Sequence, residues 1–173
     1  MNSKIIRGRV WKFPANVNTD QIIPNRAYYL SAQEQLAFIF DAMRPGWVDE
    51  MKPGDIIVSA GNFGMGSSRP AARNLAMLGV GALLSESING LFYRNAINFG
   101  LPALECPGIV DMFGEGQTAE VSFEDFTVRN LDSGASLVAR EVPDSLLQIL
   151  MAGGLYPLLE KEKLIAPVMM QSS

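Results

Sequence analysis

The sequence contains no histidine and a single cysteine, Cys106. Without histidine, a Ser-His-Asp triad cannot be assembled within the chain. With one thiol there is no internal disulfide. Neither an iron–sulfur cluster nor a histidine-type zinc site can be held by these residues alone. Any metal chemistry must therefore come with another chain. A lone cysteine also fits a reducing compartment, so cytoplasmic localisation is expected. Charge is sparse and slightly acidic: 18% of residues are charged, the net charge is −4 and the pI is about 4.8, which argues against nucleic acid as a partner. No stretch has the apolar core of a signal peptide, and no apolar run is long enough to span a bilayer.

What is present is a core. Hydrophobic residues make up 48% of 173, enough for one globular domain over residues 1–173. No internal repeat or linker divides it.

The chain is organised around Ser59-Ala60-Gly61-Asn62-Phe63-Gly64-Met65-Gly66-Ser67-Ser68-Arg69-Pro70. The apolar run Ile56-Ile57-Val58 precedes it and a helical pattern follows. Glycines permit a sharp turn and close approach of a ligand. Ser67 and Ser68 are good N-caps, and Pro70 suits a first helical turn. This reads as strand, tight loop and helix start, with free N–H groups and the helix dipole meeting near Ser67–Arg69. Such a place suits an anion, and Arg69 adds a planar fork for a carboxylate. A plain chain reversal is the alternative reading of a glycine-rich turn. The loop almost spells a nucleotide P-loop, but Ser67 stands where the lysine belongs, and its glycines run Gly-x-x-Gly-x-Gly rather than in Rossmann spacing, so nucleotide binding there is a weaker third reading.

Along the chain, residues 4–13 alternate as a strand and 14–20 form a polar loop, with Asn18-Thr19-Asp20 suited to an Asx turn. A short helix is expected over Gln33–Met43, broken by Arg44-Pro45-Gly46. After the strand at 55–60, residues Ala72, Leu75, Ala76 and Gly79 mark one buried helical face. A strand at 80–85 follows, then a helix over 88–99 with Leu91, Phe92 and Ala96 inward and Gly100 closing it. A third strand starts at Leu101. This order demands parallel pairing, with ligands at the carboxyl ends of the strands. Residues 117–141 read as antiparallel β, and Pro143–Met151 as a helix ended by Gly153-Gly154. The tail from Leu158 mixes charged and apolar residues, and Val168–Ser173 reads as a loose or partner-binding terminus. The expected fold is a three-layer α/β domain with a short parallel sheet, an antiparallel extension and flanking helices.

Three stretches carry a family resemblance. Gly61 to Arg69 resembles the Gly-Ser-Ser-Arg loop of the aconitase superfamily, nearest to the 3-isopropylmalate dehydratase small subunits. Asn16-Val17-Asn18-Thr19-Asp20-Gln21-Ile22-Ile23-Pro24 is similar to that family's Asn/Asp-Thr-Asp-x-Ile-Ile-Pro. Ser87 to Pro102 resembles the stretch ending in Asn-x-Gly-Leu-Leu-Pro. The three occur in the family's order.

The resemblance implies a swivel-type domain that removes and re-adds water in a hydroxy di- or tricarboxylic acid, in amino-acid biosynthesis such as that of leucine. It implies a heteromer in which a large subunit holds a [4Fe-4S] cluster and this chain holds no cofactor. Ser67 would be the base, Ser68 and Arg69 would bind a substrate carboxylate, and Asp20 would lie at the site's edge. The loop carrying Arg26 and Ser31 would read the substrate's variable end. Family members for isopropylmalate and homoaconitate usually carry Leu-Lys or Leu-Arg there, whereas here Leu30 is followed by Ser31. Such a site should favour a small or apolar group over an extra carboxylate. Met65 replaces a frequent cysteine, and Pro70-Ala71-Ala72 replaces Glu-His-Ala. The competing reading is a catalytically silent carboxylate-binding or regulatory domain of the same fold.

Overall fold

The computed structural model describes residues 5–66 and 69–167. Strand β1 (Ile5–Phe13) leads into the one-turn helix α1 (Thr19–Ile22), then α2 (Ala32–Gln35) and α3 (Trp47–Glu50). Three β-α repeats follow: β2 (Ile56–Ser59) and α4 (Ala71–Leu78), β3 (Ala82–Ser85) and α5 (Gly90–Asn98), and β4 (Ala103–Glu105) with α6 (Ile109–Met112). The meander β5 (Thr118–Ser122), β6 (Thr127–Asn130) and β7 (Ser136–Val138) comes next. Helices α7 (Asp144–Met151) and α8 (Leu155–Lys161) complete the order.

The strands form one seven-stranded mixed sheet, β4-β3-β2-β1-β5-β6-β7. β1 joins its two halves. Its later residues pair in parallel with β2 (Val10 opposite Ile56), and its earlier residues pair antiparallel with β5 (Ile5 opposite Ser122). Alternate side chains serve opposite faces. Trp11, Ile57, Leu83 and Ala103 pack with α4 and α5 on one face. Val10, Ile56, Val58, Ala82, Leu84 and Leu104 pack with α6 and α7 on the other. This is the expected three-layer α/β architecture.

Several local expectations are corrected. The helix expected over Gln33–Met43 is only α2 and a 3-10 turn over Leu36–Phe38. Ile39 and Phe40 then leave the helix, Phe40 with φ +57°. Five apolar residues in a row cannot share one helical face. The break places the Phe40 ring 4.2 Å from Phe13 and 5.1 Å from Trp47. The helix after the glycine loop starts at Ala71, with Pro70 in the N-cap position and no side-chain cap. Proline disfavours helical geometry in the residue before it, and Arg69 lies outside the helix. Ser67 and Ser68, expected as caps, lie outside the described residues. The buried face of α4 is Ala71, Ala72, Asn74 and Leu75, which takes a polar residue inside. In α5 Leu91 is exposed, and Ile97 joins Phe92 and Ala96 inside. α6 and α8 arise where no helix was expected. Gly100 closes α5 as expected, with the Leu101 N–H donating to Ala96 O and the Gly100 N–H to Ile97 O. The expected loose terminus at 168–173 lies outside the described residues.

One buried carboxylate ties β1 to the turn before β2. Asp55 accepts from Trp11 Nε1 (2.7 Å), Arg9 Nη2 (3.0 Å) and the Lys52 N–H (3.0 Å). Burial raises its pKa. The hydrogen bonds from Trp11, Lys52 and Arg9 outweigh that, and the group stays below the ordinary carboxylate value. A pKa lower in the folded than in the unfolded chain contributes stability above the unfolded value, near 3.9. That contribution is lost as pH falls through the folded value. Asp55→Asn should cost about 1–3 kcal/mol at pH 7. The gap from the parent should narrow below about pH 4, read from urea unfolding at several pH values.

Candidate functional site

The glycine loop leaves β2 at its carboxyl end and is held on both sides by backbone hydrogen bonds. On one side it meets residues 16–19: Asn16 N–H donates to Gly61 O (2.9 Å), Gly64 N–H to Val17 O (2.8 Å) and Thr19 N–H to Met65 O (2.7 Å). On the other it meets residues 87–89: Phe63 N–H donates to Ser87 O (3.1 Å) and Asn89 N–H to Phe63 O (2.8 Å). The three stretches singled out in the sequence therefore converge at the carboxyl ends of β1, β2 and β3.

Two glycines are needed for this closure. Gly64 has φ +82°, and a Cβ there would lie 2.3 Å from Phe92 Cγ. Gly66 has φ +88°, and a Cβ there would lie 2.8 Å from Thr19 Oγ1. Both need left-handed geometry and a missing side chain at once.

Asn18 caps α1. Its side chain accepts from the Asp20 N–H (2.9 Å), and its own N–H donates to Gln21 Oε1 (2.8 Å), completing a capping box. The single turn of helix presents Asp20, whose side chain is 59% exposed, toward Arg69, which is only 12% exposed. Arg69 Nε lies 2.9 Å from Asp20 Oδ1, and Nη2 donates to Asn25 Oδ1 (3.1 Å). The guanidinium sits 4.7 Å from the centre of the Tyr28 ring. These contacts fix the plane of the cation before any ligand arrives.

Beside Arg69 is a cleft of about 70 Å³, with Thr19, Gly66, Arg73, Phe92 and Asn95 among its walls. Two buried polar atoms on it, Thr19 Oγ1 and Arg69 Nε, have no hydrogen-bond partner among the described residues. The Asp20 contact to Nε is an ion pair in which the N–H does not point at the carboxylate. Thr19 was not among the residues expected at the site. Its place inside Asn-Thr-Asp was the available signal.

Two expected residues face elsewhere. Arg26 forms an ion pair with Asp41, its guanidinium 5.3 Å from the centre of the Phe38 ring. Ser31 is the N-cap of α2, donating to Glu34 Oε2 (2.6 Å) and accepting from the Glu34 N–H (3.3 Å). Neither is a wall of the cleft. Nothing is described for Ser67 and Ser68.

The donor set does not fit a metal or cluster. Cys106 is buried, and burial, followed by the charges of Glu86 and Glu105, pushes its thiol up to about 12. No group of three or more His, Cys, Asp or Glu side chains among the described residues could hold a metal ion. No described helix is long and apolar enough to cross a membrane.

A mixed sheet with an arginine-bearing glycine loop at its carboxyl edge is the α/β arrangement that the resemblance led us to expect. The aconitase C-terminal domain family matches residues 9–108, and the chain belongs to that family. Among similar proteins is the isopropylmalate/citramalate isomerase small subunit of Methanocaldococcus jannaschii, 45% identical over 91% of this chain and 95% of its own length. The 3-isopropylmalate dehydratase small subunit of Aquifex aeolicus is also 45% identical, with the same coverage of both chains. The methanogen homoaconitase small subunit of Methanothermobacter thermautotrophicus is 40% identical over 87% of this chain and 88% of its own. The crystal structure of a 3-isopropylmalate dehydratase from M. jannaschii superposes with a TM-score of 0.86 at 31% identity, covering 92% of this chain and 96% of that one.

Proposed function

We propose that this chain is the small subunit of a two-subunit hydro-lyase that dehydrates and rehydrates a hydroxy di- or tricarboxylic acid. The observation that carries the reading is the convergence of the three motif stretches around a preset, largely buried Arg69. The relatives' names support a dehydratase or isomerase small subunit and span more than one acid, so the proposed substrate is a class of acids.

Dehydration removes a proton from a carbon next to a carboxylate, the C–H electron pair becomes the double bond, and the hydroxyl leaves from the neighbouring carbon. We assign the proton removal to Ser67. A serine hydroxyl is far too weak an acid to be ionised at neutral pH unless positive charge and exclusion of water stabilise its oxyanion. Arg69 is the nearest fixed cation in sequence. It and Ser68 would bind the substrate carboxylate, with Asn25 and Tyr28 orienting the guanidinium and Asp20 as its ion-pair partner. Arg26 and Ser31 belong to the loop assigned to the substrate's variable end. Their present partners, Asp41 and Glu34, would have to be shared or released for either side chain to touch ligand.

Departure of the hydroxyl calls for a Lewis acid that this chain's residues do not provide, and we assign a [4Fe-4S] cluster to the partner large subunit. The size of the cleft supports a shared site. Pockets that enclose a small ligand run to about 300–1,000 Å³, against about 70 Å³ here. The chain supplies one wall.

The test is reconstitution with the iron–sulfur subunit of the same source, following the unsaturated acid formed from isopropylmalate, citramalate, homoaconitate and dimethylmalate. Arg69→Lys should raise KM about 10-fold or more, because a point charge cannot hold a carboxylate through two parallel bonds. An unchanged KM would remove Arg69 from substrate binding.

A further inference from the structure

Gln35, at the end of α2, is a glutamine only 4% exposed, and it faces Asn74, which is fully buried in α4. Its Nε2 donates to two backbone carbonyls of the loop after α1, Leu30 O at 3.0 Å and Tyr28 O at 3.3 Å. Its Oε1 accepts from Asn74 Nδ2 (2.8 Å) and Arg73 Nη2 (3.2 Å). Arg73 Nε in turn donates to Asn74 Oδ1 (3.1 Å). Arginine can only donate, so Arg73 fixes the orientation of both amides. Gln35 has both hydrogens and both lone pairs engaged, and a fully satisfied buried polar network specifies one arrangement.

What this network joins is the two sides of the proposed site. One end is the backbone of Tyr28, whose ring lies against the Arg69 guanidinium. The other is Arg73, on the cleft wall. We propose that Gln35 is a positioning residue, fixing the 25–31 loop against the first turns of α4 so that Tyr28 and Arg69 are held in place relative to Arg73 before ligand binds. Its consequence for turnover rests on the hydro-lyase reading. The brace itself does not.

Gln35→Glu separates the two arms. The carboxylate still accepts from Asn74 and Arg73, but it cannot donate to the Tyr28 and Leu30 carbonyls. In the chain alone, the Tyr28 and Leu30 amides donate to Asn25 O and Ala27 O. Hydrogen exchange at these two amides should quicken about ten-fold in the variant, with amides of β2 and β3 unchanged. In the complex with the large subunit, KM should rise several-fold while kcat stays within about two-fold, the mark of lost positioning for binding rather than lost chemistry. Should Gln35→Glu not fold, Gln35→Met, matched in length and unable to bond either side, removes the whole brace and is read by the same exchange at 25–31. Unchanged exchange at 25–31 overturns the brace whatever the complex catalyses. A uniform rise through the central strands overturns it too, since that is general destabilisation. A parent complex inactive on every hydroxy acid, with the loop exchange still altered by the variant, overturns the functional reading and leaves the brace standing.

Discussion

Ser67→Ala should lower kcat of the assembled enzyme by about 10²–10⁴-fold, the range a positioned proton acceptor contributes. KM should stay within a few-fold. Arg69 would remain to hold the carboxylate, fixed by its contacts to Asp20, Asn25 and Tyr28. Association with the large subunit should be unchanged, because deletion of one oxygen leaves the contact surface intact. A second readout isolates the proton step. In deuterated buffer the parent should wash label into the substrate carbon that loses its proton, and the variant should not. Turnover within three-fold of the parent, or undiminished wash-in, would remove Ser67 as the base. A variant and a parent both inactive but still binding a dicarboxylic acid would favour the silent carboxylate-binding domain.

Gly64→Ala should cost about 2–6 kcal/mol, of the size of much of a domain's whole stability. Two effects add. The backbone is at φ +82°, and the new methyl would sit 2.3 Å from Phe92 Cγ and 2.5 Å from Phe92 Cβ. Phe92 cannot retreat cheaply, because its ring packs edge-on to Phe63 at 5.3 Å inside the core. Gly116 provides the control. It has the same φ of +82° but nothing within 4 Å of a would-be Cβ. Gly116→Ala should therefore cost only the conformational part, about 1–2 kcal/mol. Urea unfolding of the two variants separates strain from contact. Equal losses would show that the Phe92 contact contributes nothing.

The site was legible in the sequence to the extent that its segments are local. The glycine loop, Asn18-Thr19-Asp20 and Ser87-Ile88-Asn89 each have their own turn chemistry, and parallel β-α-β order forces them to one edge of the sheet. The family resemblance added the order of the three. What could not be read was which polar residues lie inside. Gln35 stands in a polar stretch, and nothing local distinguishes it from exposed Gln33. Its partner is Asn74, 39 positions away, which with Ala71, Ala72 and Leu75 makes up the buried face of α4. Arg26 and Ser31 were placed at the site by resemblance, whereas their partners, Asp41 and Glu34, are set by the local path of the chain. The helix start was misplaced by one rule outweighing another: capping serines favour an early start, but proline disfavours helical geometry in the residue before it.

The most direct measurement of the central claim is anaerobic purification of the tagged chain from its own cells, with partner identification, iron analysis and assay of the eluted material. The account expects a co-purifying subunit rich in cysteine, close to four irons per complex, and reversible hydration of at least one hydroxy di- or tricarboxylic acid that Ser67→Ala abolishes. An iron-free chain with no such partner, or an iron-bearing complex whose turnover survives Ser67→Ala, would contradict it.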